Sequence, residues 1–143
     1  SKKYKIYHHD NINRAHEFII NTKEFDEYNI KEIDIAKRLI DYGIHAPTMS
    51  WPILKSLMVE ITETESEEEV NRFIKAMLSI YDEIKNKPEL LHNAPHTQQD
   101  IINWKYNYSI EEACYPLGAP QIDKKFWPTV NRVNDLYGDK LFY

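Results

Sequence analysis

Glycine is scarce in this chain, with three residues in 143, at positions 43, 118 and 138. A phosphate-cradling loop needs clustered glycines so that successive backbone N–H groups can approach the anion. No such cluster exists, which excludes the familiar nucleotide-binding loops. Cysteine is scarcer still: Cys114 stands alone, so no internal disulfide forms and the fold depends on its core. Within EEACYPL, and with no histidine beside it in sequence, Cys114 reads as a small buried thiol at the end of a short helix. Long apolar runs are missing as well. None approaches the roughly 20 residues that cross a bilayer, and the first residues lack the apolar centre of a signal peptide. Positive charge is in deficit, 18 Lys and Arg against 23 Asp and Glu for a net charge of −5, so no overall field favours a phosphate backbone. Neither nucleic acid nor membrane is an expected partner. The run Lys2, Lys3, Lys5 reads as a solvated end.

Motifs for independent chemistry are also few. There is no GxSxG elbow for a serine nucleophile. His8 and His9 are adjacent and His92 and His96 are four apart, but Pro95 breaks the helical face that such a pair needs, and no Glu follows His92 as a zincin requires. No metal site is expected. The acidic run TETESEEE (residues 62–69) reads as helix-start electrostatics and a solvated face.

What is present is a hydrophobic share of 42%, enough for one globular domain spanning residues 1–143. YKIY (4–7) and AHEFII (15–20), separated by the polar HHDNIN, predict a two-stranded hairpin. Asn29 and Glu32 form a candidate capping pair for a helix over 30–42, ended by Gly43. Ile33, Ala36, Leu39 and Ile40 share its apolar face, and Lys31, Asp34, Lys37, Arg38 and Asp41 its polar one. SLMVEIT (56–62) alternates as a half-buried strand does. Ser66 and Glu69 then cap a second helix over 67–86, whose apolar positions are Val70, Phe73, Ile74, Met77, Tyr81 and Ile84, with Pro88 as its stop. Beyond it the pattern becomes irregular, apart from a short helix near 109–115. The fold class is α+β: an antiparallel sheet covered by amphipathic helices, with an irregular C-terminal third. Between the first helix and the strand lies HAPTMSWP (45–52), whose two prolines, imidazole and indole fit neither helix nor strand.

DIAKRLIDYGIHAPTMSWP (34–52), SLMVEITETES (56–66) and KFWPTVNRVNDLYGD (125–139) together resemble the C-terminal region of glycine dehydrogenase (decarboxylating), the P-protein of the glycine cleavage system. AHEFII, RFIKAMLSI (72–80), NAPHT (93–97) and YSIEEACYPL (108–117) follow in the family's order, so the resemblance covers nearly the whole chain. It implies the C-terminal small domain of a fold type I pyridoxal-phosphate (PLP) enzyme. In that family glycine is decarboxylated with PLP as electron sink and its aminomethyl group passes to lipoyl-H-protein. The implied partners are the large PLP domain, glycine and lipoyl-H-protein. The PLP lysine lies upstream in the family, so no lysine here is assigned that role, and the chain alone is expected to bind no cofactor and to be inactive. The family's location implies a mitochondrial protein if eukaryotic and a cytoplasmic one if bacterial, with any targeting peptide upstream. The absence of an initiator Met suits a piece of a longer enzyme; the alternative is a stand-alone non-catalytic binding or remnant domain.

The same resemblance makes His45, Thr48 and Ser50 the first candidates for polar residues near the access route, with Arg132 next. His45 has a competing role as a cap on the preceding helix, and Arg132 as a clamp on the C-terminal segment. Three positions depart from the family pattern: Lys55 replaces a turn glycine, Ile61 a proline, and Ile110 the arginine of YSRE, which removes a planar carboxylate partner.

Overall fold

The computed structural model describes residues 3–7, 16–118 and 125–141. Among the described residues, four antiparallel strands, β1 (Lys5–Ile6), β2 (Glu17–Asn21), β3 (Thr48–Met49) and β4 (Ser56–Glu60), form one sheet in the order β1-β2-β4-β3. The predicted hairpin pairs Ile6 with Ile20, and its HHDNIN connection lies outside the described residues. The central pairing matches Phe18 with Val59 and Ile20 with Leu57, which places the apolar alternation of both strands on the face toward the helices.

Two helices cover that face, α1 (Glu32–Asp41) and α2 (Glu67–Asn86). Helix α2 has the bounds its sequence predicts, and its Ser66 hydroxyl accepts the Glu69 N–H at 3.2 Å. Its buried stripe is rotated slightly from the predicted one. Ala76, Met77, Ile80 and Ile84 are buried, whereas Ile74 is 47% exposed. Helix α1 differs more. Residues 23–28 form a 3-10 helix that the sequence pattern did not reveal, and Asn29 ends it in the left-handed conformation at φ 57°. Lys31 is the true N-cap of α1, its backbone N–H held by Asp34 Oδ2 at 2.8 Å. Gly43 closes α1 as expected: at φ 71° it lets its own N–H reach Ile40 O at 2.9 Å and the Ile44 N–H reach Leu39 O at 3.0 Å.

The predicted polar face of α1 is the larger correction. Asp34, Arg38 and Asp41 are buried beside Ile35, Ala36 and Leu39. They are covered by the C-terminal third, which holds the short helices α3 (Pro88–Asn93), α4 (Gln98–Ile102), α5 (Ile110–Cys114) and α6 (Asp135–Asp139). Thr97 and Ser109 cap α4 and α5, which satisfies N–H groups that such short helices otherwise leave open. At the other end of the core, Tyr4, Phe25 and Tyr81 meet edge to face with centroids 5.5 to 5.9 Å apart. Two lysines of the N-terminal run form surface ion pairs, Lys3 with Asp82 at 2.7 Å and Lys5 with Glu24 at 3.1 Å.

Candidate functional site

HAPTMSWP leads from the end of α1 into β3 and then turns. Along its course a cleft of about 540 Å³ opens between the segment, the far end of β4 and the start of α2. Ile44, Ala46, Val59, Ile61, Val70 and Phe73 give the cleft its apolar lining. Glu60, Glu65, Glu69 and Arg72 supply charge, three carboxylates against one guanidinium, and His45, Thr48 and Thr62 add neutral polar groups. Arg72 is already engaged. Its Nη2 lies 2.5 Å from Glu69 Oε2, and its Nη1 donates to the Tyr42 and Gly43 carbonyls at 3.1 and 3.2 Å. The net field of the cleft is therefore negative, set by Glu60 and Glu65.

Of the sequence candidates, His45 and Thr48 line this cleft and are exposed. No hydrogen bond from His45 to the end of α1 is present among the described residues, so it does not act as a cap. Ser50 faces a different task. It adopts φ 52°, and its hydroxyl donates to Glu32 Oε1 at 2.6 Å while accepting the Lys55 N–H at 3.2 Å. The Ser50 N–H meets Ser56 O at 2.8 Å. These bonds tie the loop to α1 and fix Trp51 and Leu54, both largely exposed, at its tip. The Trp51–Pro52 and Ala94–Pro95 peptides are cis.

Lys55 accounts for the glycine at its position in the family pattern. It sits at φ 58°, where a Cβ is unfavourable. The Lys55 carbonyl accepts the Thr22 hydroxyl at 2.8 Å and the Thr22 N–H at 3.1 Å, so the backbone has little freedom to relax. Ile61, the second departure, extends the β2–β4 ladder through its N–H to His16 O at 2.7 Å, a bond proline lacks. Ile110, the third, packs against the core at the start of α5, where the family pattern has a guanidinium.

Arg132 lies apart from the cleft. Its Nη1 pairs with Asp34 Oδ1 at 2.8 Å, and its Nε and Nη2 donate to the Ala94 and Leu91 carbonyls at 2.9 and 2.8 Å. This is the clamp role: one side chain joins the C-terminal segment to α1 and α3.

Beneath it is a buried polar network that the sequence pattern assigned to solvent. All five N–H donors of Arg38 are used: Nε and one Nη2 proton on Glu83 at 2.8 Å each, and the others on the carbonyls of Ala113 and Glu112 at 2.7 Å and on Asp41 Oδ2 at 3.1 Å. Burial opposes the guanidinium charge, but the Glu83 and Asp41 carboxylates outweigh it and raise its pKa. Asp41 passes the chain of bonds to His96, and His96 Nε2 lies 2.9 Å from the Tyr108 hydroxyl. Tyr106 and Tyr108 stack at 5.2 Å with Trp104 edge-on to both, enclosing the imidazole. His96 is fully buried inside this aromatic box. Lys125 adds a bond from Nζ to Asp41 O at 2.9 Å, and burial holds its pKa below the usual lysine value.

A third cluster, His16, Glu17 and Glu60, is exposed on the outer sheet face, with one ligand atom of each within 4.8 Å of the others. His92 and His96 do not converge on it. No helix among the described residues is long and apolar enough to cross a membrane.

Sheet, covering helices and open cleft define an α+β domain whose polar interior joins α1 to the C-terminal third. The family described as glycine dehydrogenase, C-terminal domain, matches residues 1–101, and the chain belongs to this family. The glycine dehydrogenase (decarboxylating) of Jannaschia sp. (strain CCS1) is 48% identical over 134 residues, covering 88% of this chain and 14% of the relative. That of Shewanella pealeana is 48% identical over 149 residues, covering 94% and 15%. Glycine dehydrogenase (decarboxylating) 1 of Colwellia psychrerythraea is 45% identical over 153 residues, covering 98% and 16%. The chain thus spans about a seventh of the length of these curated relatives.

Proposed function

We propose that the chain serves as the C-terminal small domain of a fold type I, PLP-dependent glycine dehydrogenase, which decarboxylates glycine and passes the aminomethyl group to lipoyl-H-protein. The observation that carries this reading is the identity of 48% over 88% of the chain, together with a family match at 1–101 that includes the whole cleft and the loop beside it.

PLP supplies the electron sink for loss of carbon dioxide in such a reaction. The donor set of the cleft does not suit it: carboxylates repel a phosphate, and among the described residues its one guanidinium is committed and no lysine lines it. The cofactor's ligands are therefore assigned to the part of the enzyme outside this chain, and the isolated chain is assigned no turnover. Its own residues shape the surface beside the reaction. His45 and Thr48, exposed on the cleft, face the route of glycine or of the lipoyl arm. Ser50 and Arg132 act through the segments they hold.

The test uses the longer protein. Release of labelled carbon dioxide from carboxyl-labelled glycine, with lipoyl-H-protein present, is expected to depend on residues 1–143. Unchanged turnover after their deletion would sink the reading. His45→Ala with normal decarboxylation and normal aminomethyl transfer removes His45 from the route.

A further inference from the structure

We propose that the cleft is a strand-addition site: an extended basic peptide segment of a partner protein lies along the open edge of β4, with lysine or arginine side chains on Glu60 and Glu65. The inference does not rest on the proposed reaction, although it places its peptide in the same cleft that His45 and Thr48 line.

It begins from register. Along a strand, successive residues turn their N–H and C=O to opposite sides. The Ile61 N–H bonds to His16 O on the β2 side, and the Ser56 O accepts from Ser50 on the β3 side. Residues 56, 58 and 60 therefore direct their backbone groups toward β3. That strand is only two residues long and pairs Met49 with Leu57 and Thr48 with Met58. One step further the chain reaches Pro47, and β3 leaves the ladder. Glu60 is thus left with an N–H and a C=O aimed across the cleft, and neither has a backbone partner among the described residues.

An unpaired sheet edge is a template for another extended chain. Here the space for that chain exists, because Ala46 and Pro47 stand on one side of the 540 Å³ cleft and Val59 to Thr62 on the other. Its apolar wall, Val70 and Phe73 from α2, accepts alternate side chains of a strand. Charge then selects the occupant. Glu69 is neutralised by Arg72, which leaves two carboxylates to attract cations, those of Glu65 and Glu60. The Glu60 side chain turns to the outer sheet face beside Glu17 and His16 and so meets the outward-facing side chains of an added strand. Among the described residues the other titratable lining group is His45. An acidic segment is repelled by the same pair.

The probe is the peptide Ac-Lys-Val-Lys-Val-Lys-NH2 added to the ¹⁵N-labelled chain, read by amide shifts. The Glu60 amide is expected to move and saturate, and Glu65→Lys is expected to weaken binding by about tenfold at low salt. Replacing each Lys of the probe by Glu is expected to abolish it. Methylating the amide nitrogens of either the lysines or the valines separates strand addition from simple charge attraction: one set of methyl groups abolishes binding and the other is tolerated. Three results overturn the proposal: no shift at Glu60 up to about 1 mM peptide, equal sensitivity to both methylated sets, or movement of the Glu60 amide with protein concentration alone, which assigns the edge to a second copy of this chain.

Discussion

Asp41 and His96, 55 residues apart in sequence, are joined at two points: Oδ1 accepts the His96 backbone N–H at 2.8 Å, and Oδ2 lies 2.8 Å from the ring Nδ1. The same carboxylate faces Arg38, so one side chain at the end of α1 holds both the guanidinium from its own helix and the turn before α4. Removing it leaves a buried cation short of a partner and a buried N–H open. Asp41→Ala is expected to cost about 3–5 kcal/mol, read as a lower urea midpoint with an unchanged m-value. A loss below about 1 kcal/mol would show that water replaces the carboxylate.

Lys55 carries a different cost. At φ 58° its backbone favours glycine, while its ammonium pairs with Asp26 at 2.5 Å on the surface, where an ion pair contributes little. Lys55→Ala keeps the strain and loses the pair, so it is expected to be the least stable form. Lys55→Gly loses the pair but relieves the strain, and its folding equilibrium constant is expected to exceed that of Lys55→Ala by about fivefold. Equal midpoints for the two variants would contradict the assigned conformation.

The sheet holds a like-charge pair: Glu17 and Glu60 are direct cross-strand neighbours, with His16 Nε2 3.8 Å from Glu17 Oε1. Like charges placed opposite one another repel. Glu17→Lys is expected to raise stability by about 0.2–1 kcal/mol, with the gain shrinking as salt is added. A gain that persists at high salt would point to packing instead.

These sites differ in how visible they are in sequence, and the difference is physical. Capping and periodicity are local, so Ser66 with Glu69 predicts the start of α2, and the alternation of Leu57, Val59 and Ile61 predicts β4. Asn29 and Glu32 mimic the same signal, but the 3-10 helix before them takes Asn29 as its end. The polar stripe of α1 misleads for a stronger reason. Asp34, Arg38 and Asp41 have the spacing of a solvated face, and only the return of the chain at Leu91, Ala94, His96, Ala113 and Arg132 makes that face interior. Partners this far away leave no periodic trace. Composition alone marked HAPTMSWP as unusual and the family resemblance marked Lys55, while the open edge at Glu60 needed the pairing register and is absent from any local pattern.

Asp100 gives the fold a sensitivity to acid. Although its partial burial opposes the charge, the Thr97 N–H and hydroxyl, each 2.7 Å from Oδ2, hold its pKa below the ordinary 3.8. In the unfolded chain the carboxyl takes up its proton first. Its contribution is therefore complete above about pH 4 and is lost as pH falls through the folded value. Asp100→Asn is expected to flatten the fall in stability below about pH 4 while leaving the slope above pH 5 unchanged. An identical acid profile for the two proteins would remove Asp100 from the linkage.

Cys114 reports on opening of the whole C-terminal third. It is fully buried at the end of α5, and burial, opposed by nearby Lys125, pushes its thiol up to about 11. At pH 8 the thiolate fraction is then about one in a thousand, and the sulfur is shielded from reagent as well. The helix that carries it is held to α1 because the Ala113 and Glu112 carbonyls accept from Arg38. Labelling by an aromatic disulfide reagent is therefore expected to be slow in the native chain. It should accelerate in Asp41→Ala in proportion to the shift in its unfolding equilibrium, because exposure of the sulfur requires the Arg38 bonds to open. Full labelling of the native protein within seconds, at a rate indifferent to Asp41→Ala, would mean that α5 opens independently of that network.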